Sequence, residues 1–449
     1  MSSTRPNIVY IHSHDTGRYI QPYGYGISTP HLQRLAEQGV LFRQAFSAAP
    51  TCSPSRAGLL TGQSAHNSGM LGLAHRGFAL HDYQQHILHT LRTVGYTSTL
   101  VGIQHIAQDP RQIGYDEIHP TISPSAPATA DGAIDFLSHD ASAIADSAVD
   151  FLSHAPQQPF FLDVGFHETH REYPQPDGEH EANYTLPPAT VPDTPQTRDD
   201  MARYKASAHA LDQGVGAVLT VLAATGLADN TLVISTTDHG LAFPGMKGTL
   251  TDHGIGVSLI MRGPGGFVGG KVCDAMVSQI DIFPTLCDLL AIEPPAWLQG
   301  RSLLPLVHDE VEQLHEAIYA ETTYHAAYEP QRCVRTDRWK YIRRFAQRAT
   351  PVLPNGDDAP SKDVLLHYGL ANRQPSQEAL YDLIFDPQEA NNLATDPAYT
   401  DTLAAMRQRL TAWMRQTRDP LLDGPIPAPF GATLNDPDQS SPNDPTHQI

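Results

Sequence analysis

The sequence lacks any apolar run long enough to cross a membrane. The stretch at residues 8–11 is four residues long, whereas a transmembrane helix needs ~20 apolar residues and a signal peptide about 7–15. From the sequence as given we expect no signal peptide, no membrane partner and a cytoplasmic location.

Cysteine is also scarce. The four cysteines are far apart, which favours neither a disulfide framework nor a zinc-knuckle spacing. We expect the last three to be small buried residues, whereas the first has a more informative context. They are Cys52, Cys273, Cys287 and Cys333.

Positive charge is under-represented. The 449 residues include 29 Lys and Arg against 49 Asp and Glu, a net charge of −20, which would repel a phosphate backbone and argues against nucleic-acid binding. A small anionic substrate would need a few cationic groups or a metal gathered at one place. With 40% hydrophobic and 17% charged residues, the composition is that of a globular protein of two or three structural units.

Short apolar segments alternate with helical patterns through the first two thirds of the chain. This alternation predicts an α/β fold with a mainly parallel sheet sandwiched by helices. The predicted strands are 7–11, 97–101, 160–164, 231–237 and 257–261, and the predicted helices are 28–39, 86–94, 141–152 and 201–224.

Polar residues follow four of these strands directly. Because the carboxyl ends of parallel strands lie at one edge of a sheet, ligands bind there, and we expect these loops to meet. Their notable residues are His14 with Asp15, His105, His167 with His170, and Asp238 with His239.

The pattern changes near residue 316. Short strands are predicted at 317–320, before 342 and at 379–383, followed by a helix at 400–415. We therefore predict a catalytic α/β domain at 1–315 and a smaller α+β subdomain with an antiparallel sheet at 316–420. Residues 421–449, rich in Pro, Asp, Asn and Ser, are predicted to form an extended or disordered tail.

The segment Pro-Thr-Cys-Ser-Pro-Ser-Arg-Ala-Gly-Leu-Leu-Thr-Gly at 50–62 carries the most information. Cys52 stands where a helix could begin, among unpaired N–H groups and near the guanidinium of Arg56, a place that suits an anion. Taken alone, the segment is better explained as a capped helix start with an incidental thiol.

In its wider context the segment resembles the signature of type I sulfatases of the alkaline phosphatase superfamily, in which the Cys becomes formylglycine. The resemblance covers nearly the whole chain and includes Asp-His-Gly at 238–240 and Lys-Gly-Thr at 247–249. Cys-Ser-Pro-Ser-Arg, Phe-His-Glu-Thr-His-Arg at 166–171 and the segment 332–342 most resemble the heparan N-sulfatase (sulfamidase) branch.

The resemblance implies one divalent metal. Asp15, Asp238 and His239 match metal-binding positions, His14 stands where the family usually has its first Asp, and hydrated formylglycine at Cys52 would add an oxygen ligand. The family suggests Ca²⁺, whereas the imidazole ligands favour Mn²⁺ or Zn²⁺.

The resemblance also implies catalytic roles. One hydroxyl of the formylglycine diol attacks sulfur, His105 then assists release of sulfate, and His170 protonates the leaving group. Arg56 and Lys247 would bind formylglycine and sulfate oxygens. The implied substrate is a small anion, an aryl sulfate or a sulfated sugar such as an N-sulfoglucosamine, and a formylglycine-generating enzyme would act during maturation. A homo-oligomer is compatible with this reading.

Two departures leave alternatives open. Sulfatases usually carry Gly-Lys-x-His where this chain has Gly-Ile-Gln-His at 102–105, so Ile103 replaces a Lys, and Gln104 or another residue would have to compensate. The second departure is His14. Both are compatible with a phosphodiester or phosphonate monoester hydrolase of the same superfamily, or with a non-catalytic binder of sulfated sugars.

Overall fold

A nine-stranded mixed sheet lies at the centre of the larger part of the molecule. The computed structural model describes residues 5–119, 141–176, 178 and 181–449. Within them the sheet has the order β4-β3-β5-β1-β6-β8-β2-β7, with β9 beside β2. Its strands are β1 (Asn7–Ser13), β2 (Val40–Phe46), β3 (Thr97–Gly102), β4 (Glu117–His119), β5 (Phe160–Gly165), β6 (Thr231–Thr237), β7 (Gly256–Val257), β8 (Leu259–Arg262) and β9 (Lys271–Ser278).

Helices cover both faces of this sheet. The described α-helices are α1 (Pro30–Gln38), α2 (Cys52–Thr61), α3 (Ala65–Ser68), α4 (Ile87–Arg92), α5 (Ala141–Ser153), α6 (Pro195–Ala224), α7 (Asp252–Ile255), α8 (Ile282–Leu289), α9 (Leu304–Val307), α10 (Pro360–His367) and α11 (Thr400–Gln416).

The central strand β1 shows how the sheet is held. Side chains alternate between faces along a strand, so Ile8 and Tyr10 enter one hydrophobic core while Val9 and Ile11 enter the other. All seven residues of β1 are buried, as expected for a strand covered on both faces. Strands β5 and β6 flank β1 in parallel, and this parallel group confirms the predicted fold class.

The far side of the sheet is antiparallel in part. β8 runs antiparallel to β6 and β2. The single strand predicted at 257–261 was wrong, because the structure divides it into β7 and β8, which separately pair with β2.

A four-stranded antiparallel sheet forms the smaller C-terminal part, in the order β10-β11-β12-β13. One of its faces packs on α11 through Leu403, Met406 and Leu410. The strands are β10 (Ile318–Tyr324), β11 (Tyr328–Arg335), β12 (Trp339–Arg344) and β13 (Glu378–Asp382).

The last 29 residues run back along the molecule. They contain two short paired strands, β14 (Thr433–Leu434) and β15 (His447–Gln448). Ala432 and Leu434 are buried and join the large hydrophobic core. The segment is extended and packed, because Leu434 supplies apolar burial and Asn435 is buried with it.

None of the helices in the described part of the chain combines the length and hydrophobicity needed to span a bilayer.

Candidate active site

The loops that follow β1, β3, β5 and β6 meet at one edge of the sheet. The imidazole of His14, after β1, lies 5.1 Å from the ring of His105 and 5.6 Å from that of His170 between centroids. The His14 Nδ1 is 3.2 Å from a carboxylate oxygen of Asp238, which follows β6. The predicted convergence of the four loops is confirmed.

Close approach of the strand ends requires a glycine at the end of β5. A Cβ at Gly165 would lie 1.9 Å from the carbonyl oxygen of Ile103 and 2.6 Å from the ring of His12. The loop that carries His105 can therefore pass over β5 only because residue 165 has no side chain.

Cys52 is the first residue of the buried helix α2. Its Sγ is 3.4 Å from Nε2 of His239, so the thiol faces the loop after β6. Burial, together with Asp238 and Asp15, raises the pKa of the thiol well above its usual range, against the opposing effect of Lys247. The unmodified side chain is thus held as a neutral thiol, which is a weak nucleophile.

Asp238 is held by a chain of buried polar contacts. Its Oδ2 accepts a hydrogen bond from Nη2 of Arg56 at 3.1 Å, and Nη1 of the same guanidinium contacts Nδ1 of His12. Because Arg56 can only donate, Nδ1 of His12 accepts and its Nε2 donates to Asp163 at 2.8 Å. Tyr115 donates to the other oxygen of Asp163 at 2.6 Å.

These contacts set the charge of Asp238. Burial alone would raise the pKa of its carboxyl, but His239, Arg56 and His14 outweigh burial and hold the pKa well below its usual range. Asp238 is therefore a carboxylate at neutral pH.

Lys247 connects the sheet to the C-terminal subdomain. Its Nζ donates to Oδ2 of Asp15 at 2.9 Å and lies 3.0 Å from Oδ2 of Asp357. Nε2 of His170 is 3.4 Å from the same ammonium. Burial lowers the pKa of Lys247, but Asp15, Asp357 and Cys52 more than offset this and raise the pKa well above its usual range. The side chain is a fixed positive charge.

Neutral imidazoles line the remaining wall. Burial, with His75 and Arg56, lowers the pKa of His105 well below its usual value. His75 is an exposed residue, and partial desolvation of its ring, with the charge of Arg76 and smaller effects of His170 and Lys247, lowers its pKa. The rings of His75 and His105 stack at a centroid distance of 5.6 Å.

Comparisons with known proteins agree with this geometry. The family model described as Sulfatase matches residues 6–292, and the model described as N-sulphoglucosamine sulphohydrolase, C-terminal, matches residues 246–360. The human N-sulphoglucosamine sulphohydrolase is 30% identical over 89% of this chain and 88% of its own length. The chain belongs to the sulfatase family.

Solved structures share the fold of this sulfatase. A protein in complex with its substrate D-glucosamine-2-N,6-O-disulfate has a TM-score of 0.70 at 19% identity, covering 97% of this chain and 100% of that one. A phosphonate monoester hydrolase of Agrobacterium radiobacter has a TM-score of 0.67 at 22% identity, covering 92% and 96%. At these identities the likeness concerns the fold.

The donor atoms of this sulfatase suit a divalent cation. Ligand atoms of His14, Asp15, Cys52 and Asp238 lie within 4.8 Å of one another, and Nε2 of His239 is 3.3 Å from Oδ1 of Asp15. Both ring nitrogens of His14 and Oδ1 of Asp15 are buried without hydrogen bonds, an expensive arrangement unless a ligand fills it. The mixed nitrogen and oxygen set fits Mn²⁺ or Zn²⁺ as well as Ca²⁺.

The structure brings together all the site residues that the sequence nominated, but it corrects one suggestion. Gln104 does not replace the Lys missing at Ile103. Its Oε1 accepts hydrogen bonds from the backbone N–H groups of Ile106 and Ala107, and its Nε2 donates to the Ala107 carbonyl at 2.6 Å. The Gln104 amide is therefore hydrogen-bonded to the backbone of its own loop. The ammonium at the centre of the site is that of Lys247.

Three residues at the site were missed by sequence reasoning. His12 is not among the residues that the sequence nominates, although its place two residues before His14 on a strand is a usable signal. His75 stands in no segment that the sequence analysis singled out, and the N–H of Ala74 holds it to α2 by donating to Ser53 Oγ at 3.0 Å. Asp357 lies in an Asn-Gly-Asp-Asp turn with no distinguishing pattern.

Proposed function

We propose that this sulfatase hydrolyses a sulfate ester or sulfamate of a sugar, of the N-sulfoglucosamine type, after conversion of Cys52 to formylglycine by a formylglycine-generating enzyme. The observation that carries the proposal is the position of Cys52. The thiol begins a buried helix and faces His239, within reach of His14, Asp15 and Asp238.

Two groups beyond the encoded side chains complete this chemistry. Formylglycine supplies a hydrated aldehyde, one hydroxyl for attack on sulfur and a second for release of sulfate. A divalent cation held by His14, Asp15, Asp238 and His239 supplies charge to offset the sulfate and to lower the pKa of a hydroxyl.

The two positively charged side chains of the site, Lys247 and Arg56, have different roles. Lys247 has its ammonium in the site among Asp15, Asp357 and His170, so it can orient a sulfate oxygen. Arg56 is turned to Asp238 and to the carbonyl of Ser13 at 3.0 Å, so its main effect is to keep the Asp238 carboxylate charged and in place.

His170 is suited to protonating the leaving group. Its Nδ1 is 2.6 Å from the carbonyl oxygen of Arg171, and a carbonyl only accepts, so Nδ1 carries hydrogen. Nε2 is then the atom that gains and loses the proton. It points towards Lys247, and its side chain is 28% exposed, so it is open to substrate.

His105 is suited to accepting a proton. Its lowered pKa keeps the ring neutral at neutral pH, and Nδ1 has no hydrogen bond. A neutral imidazole beside the residue-52 side chain can remove a proton during the release of sulfate. The closeness of His14, Cys52 and His105 ligand atoms supports this role.

Asp357 favours a sugar over a simple aryl ester. Its carboxylate is fixed beside Lys247, with Oδ2 ion-paired to the ammonium at 3.0 Å, and it keeps lone pairs for a further donor. A buried carboxylate acceptor gains most from a ligand that brings a hydroxyl or amine donor, and sugars carry such donors around the scissile group.

A phosphonate monoester or phosphodiester hydrolase is the second candidate. It is favoured by the imidazole of His14 and by Ile103, since these two residues make the site differ from the usual sulfatase pattern. The non-catalytic binder is less supported, because binding alone needs no convertible Cys52.

One experiment tests these readings together. The chain is expressed with and without a formylglycine-generating enzyme, the mass of the tryptic peptide containing Cys52 is measured, and turnover of N-sulfoglucosamine, an aryl sulfate and an aryl phosphodiester is compared. We expect formylglycine content and sulfatase turnover to rise together and Cys52→Ala to lose turnover at unchanged folding. Cys273→Ala, the control at the most exposed of the four cysteines, should keep it. Full activity of Cys52→Ala, or a preference for the phosphodiester, contradicts the proposal.

A further inference from the structure

A second cationic cavity lies behind the loop that carries Asp15. It has a volume of about 330 Å³ and is lined by residues of both parts of the molecule, including Arg18, Arg43 and Arg335 with Asp252. Three arginines against one aspartate make the lining positive in a chain whose net charge is −20. A concentration of positive charge in a concave place is the usual basis of anion recognition.

The negative charge of Asp252 is shared among several cations and forms no ion pair with Arg18. The carboxylate of Asp252 is engaged by Arg335, with Nη2 at 3.1 Å, and by Lys340, with Nζ at 2.6 Å. No ion pair joins Arg18 to any acidic residue in the described ranges. Arg43 is exposed on β2 and likewise forms no ion pair with a described residue.

The guanidinium of Arg18 is built into the fold yet incompletely satisfied. Nη2 donates to the carbonyl of Ala45 at 2.8 Å, and the group lies 4.5 Å from the centre of the Phe46 ring. Nε is buried with no hydrogen-bond partner. Gly256 leaves room for the group, since a Cβ there would lie 3.0 Å from Arg18 Cζ.

Arg335 stacks on the same aromatic ring, also at 4.5 Å. Two like charges are therefore held against one phenyl group, and their mutual repulsion is relieved by an anion between or beside them. The cavity also includes Tyr19 and Tyr25, whose rings stack at 4.1 Å. Tyr25 is 39% exposed, so an aromatic surface with a hydroxyl lies at the cavity edge.

We propose that this cavity is a second binding site, separate from the catalytic centre, for a sulfate or carboxylate group, either free or carried by a sugar unit. Arg18 and Arg43 supply the unpaired cations, and the tyrosine pair offers a face for a sugar ring. The volume is at the small end of ligand sites, which start at ~300 Å³, and suits one such unit.

The site is connected to the catalytic loops. The N–H of Gly17, next to Arg18, donates to the carbonyl of His239 at 2.9 Å, and the Gly17 carbonyl accepts from Ser258 at 2.8 Å. An anion bound to Arg18 would therefore lie next to the backbone segment that positions Asp15 and His239.

The test measures binding rather than turnover, on the full chain with Cys52 unmodified, so that failure of the proposed reaction does not affect it. Isothermal titration calorimetry with sodium sulfate and with sodium glucuronate, at constant ionic strength, is run on the wild type, Arg18→Gln, Arg43→Gln and Lys247→Ala. Arg34→Gln, at an exposed arginine on α1, is the matched control.

We expect at least tenfold weaker binding in Arg18→Gln and a smaller loss in Arg43→Gln, with Arg34→Gln and Lys247→Ala unchanged at this site. Sulfate binding that Arg18→Gln weakens and Lys247→Ala does not weaken identifies a free sulfate site, and glucuronate binding with the same pattern identifies an acidic sugar site. Arg43→Gln changes only an exposed side chain, so it tests the site even if Arg18→Gln folds poorly. Wild-type affinity for both anions in both arginine variants overturns the proposal.

Discussion

At Asp238 one carboxylate serves several neighbours at once. It accepts from the N–H groups of Asp15 and His239 at 2.8 and 2.9 Å, and from Arg56 as described above. The same carboxylate lies close to buried atoms of His14 and Asp15 that have no hydrogen-bond partner. A bound cation would satisfy these atoms, and metal binding to the native state stabilises it.

We therefore predict that metal removal lowers stability as well as activity. Dialysis against a chelator should lower the melting temperature of the wild type by several degrees and abolish turnover, and Asp238→Asn should purify with little metal. The control is Asp212→Asn, since Asp212 is equally buried but accepts from backbone N–H groups at the start of α1. Elemental analysis that finds equal metal in both variants contradicts the assignment.

The two histidines near Cys52 are predicted to act at different steps. His170→Ala should reduce turnover of substrates with amine or sugar leaving groups by ~10²-fold or more, the usual size of general acid catalysis, and activated aryl sulfates much less. Steady-state rates on both substrate types measure the difference. Equal losses on all substrates would show that His170 is not the acid.

His105→Ala should instead release one equivalent of leaving group and then stop. The half-buried ring is the neutral base near residue 52, so its loss leaves a sulfated residue 52 that breaks down slowly. Rapid-mixing kinetics and intact mass of the stalled protein detect this adduct. A steady linear rate with no mass increase would move the role of base to another residue, and His75 is the neighbour to examine.

Single residues also show where sequence reasoning ends. The motifs nominated Cys52, His105 and Lys247 because each stands in a recognisable segment. They did not nominate Asp357, because its role depends on an ion pair with Lys247, which lies 110 positions earlier in the chain. The capture of the Gln104 amide by its own loop was equally invisible, since it depends on the left-handed backbone of His105, with φ of 61°.

At the scale of elements, local signals predicted starts and ends unevenly. Strand β6 was predicted at its observed bounds. Helix α6 starts six residues before the predicted position, because Thr194 accepts from the N–H of Thr197 and Pro195 opens the first turn. Strand β11 was missed, since it contains a proline and two arginines and has no apolar alternation. Arg332, which lies on β11, is buried, and its charge is compensated by ion pairs with Glu321 and Asp419.

Helix α4 begins on a buried histidine, and this makes part of the stability dependent on pH. Nδ1 of His86 accepts from the N–H of Leu88 at 3.2 Å, so the neutral ring caps the helix. Burial lowers the pKa of His86 to about 3, against ~6.5 in an unfolded chain. The unfolded state therefore binds the proton first as pH falls, and stability is lost between about pH 6.5 and 3.

We predict that lowering the pH from 7.5 to 5.0 costs about 2 kcal/mol of unfolding free energy through His86 alone. His86→Asn keeps an oxygen acceptor for the cap but does not titrate, so its loss between the two pH values should be smaller by that amount. Urea denaturation at both pH values measures it, with His154→Asn, at a side chain 77% exposed, as the control. Identical pH dependence in wild type and His86→Asn would rule out this contribution.

At the scale of the whole molecule, the C-terminal segment 421–449 forms hydrogen bonds to two loops that carry histidines of the active site. The N–H of Asn435 donates to the carbonyl of Ala326, next to His325, at 2.9 Å. Its Oδ1 accepts from Arg76, next to His75, also at 2.9 Å. His325 itself is buried near Lys247 and Asp357, and its pKa is lowered to about 3, chiefly by burial. The last residues of the chain thus brace the site from outside.

Asn435→Ala should loosen this brace. The substitution removes one acceptor of Arg76, which also donates to the carbonyl of Pro442 at 3.2 Å, and it removes the Nδ2 donor to the carbonyl of Asp444 at 2.9 Å. Each lost hydrogen bond costs ~0.5–1.5 kcal/mol. We expect a loss of about 2 kcal/mol in urea denaturation, earlier proteolytic cleavage within 421–449, and a lower kcat because the His75 segment is no longer fixed. Asn443→Ala is the control, because Asn443 is exposed and the substitution removes its side-chain hydrogen bond to Asp358 at 3.1 Å, which lies outside the Arg76 contact. If both variants retain wild-type stability and cleavage pattern, the segment covers the surface without bracing the site, and the position of His75 must then depend on the contact between Ala74 and Ser53 of α2.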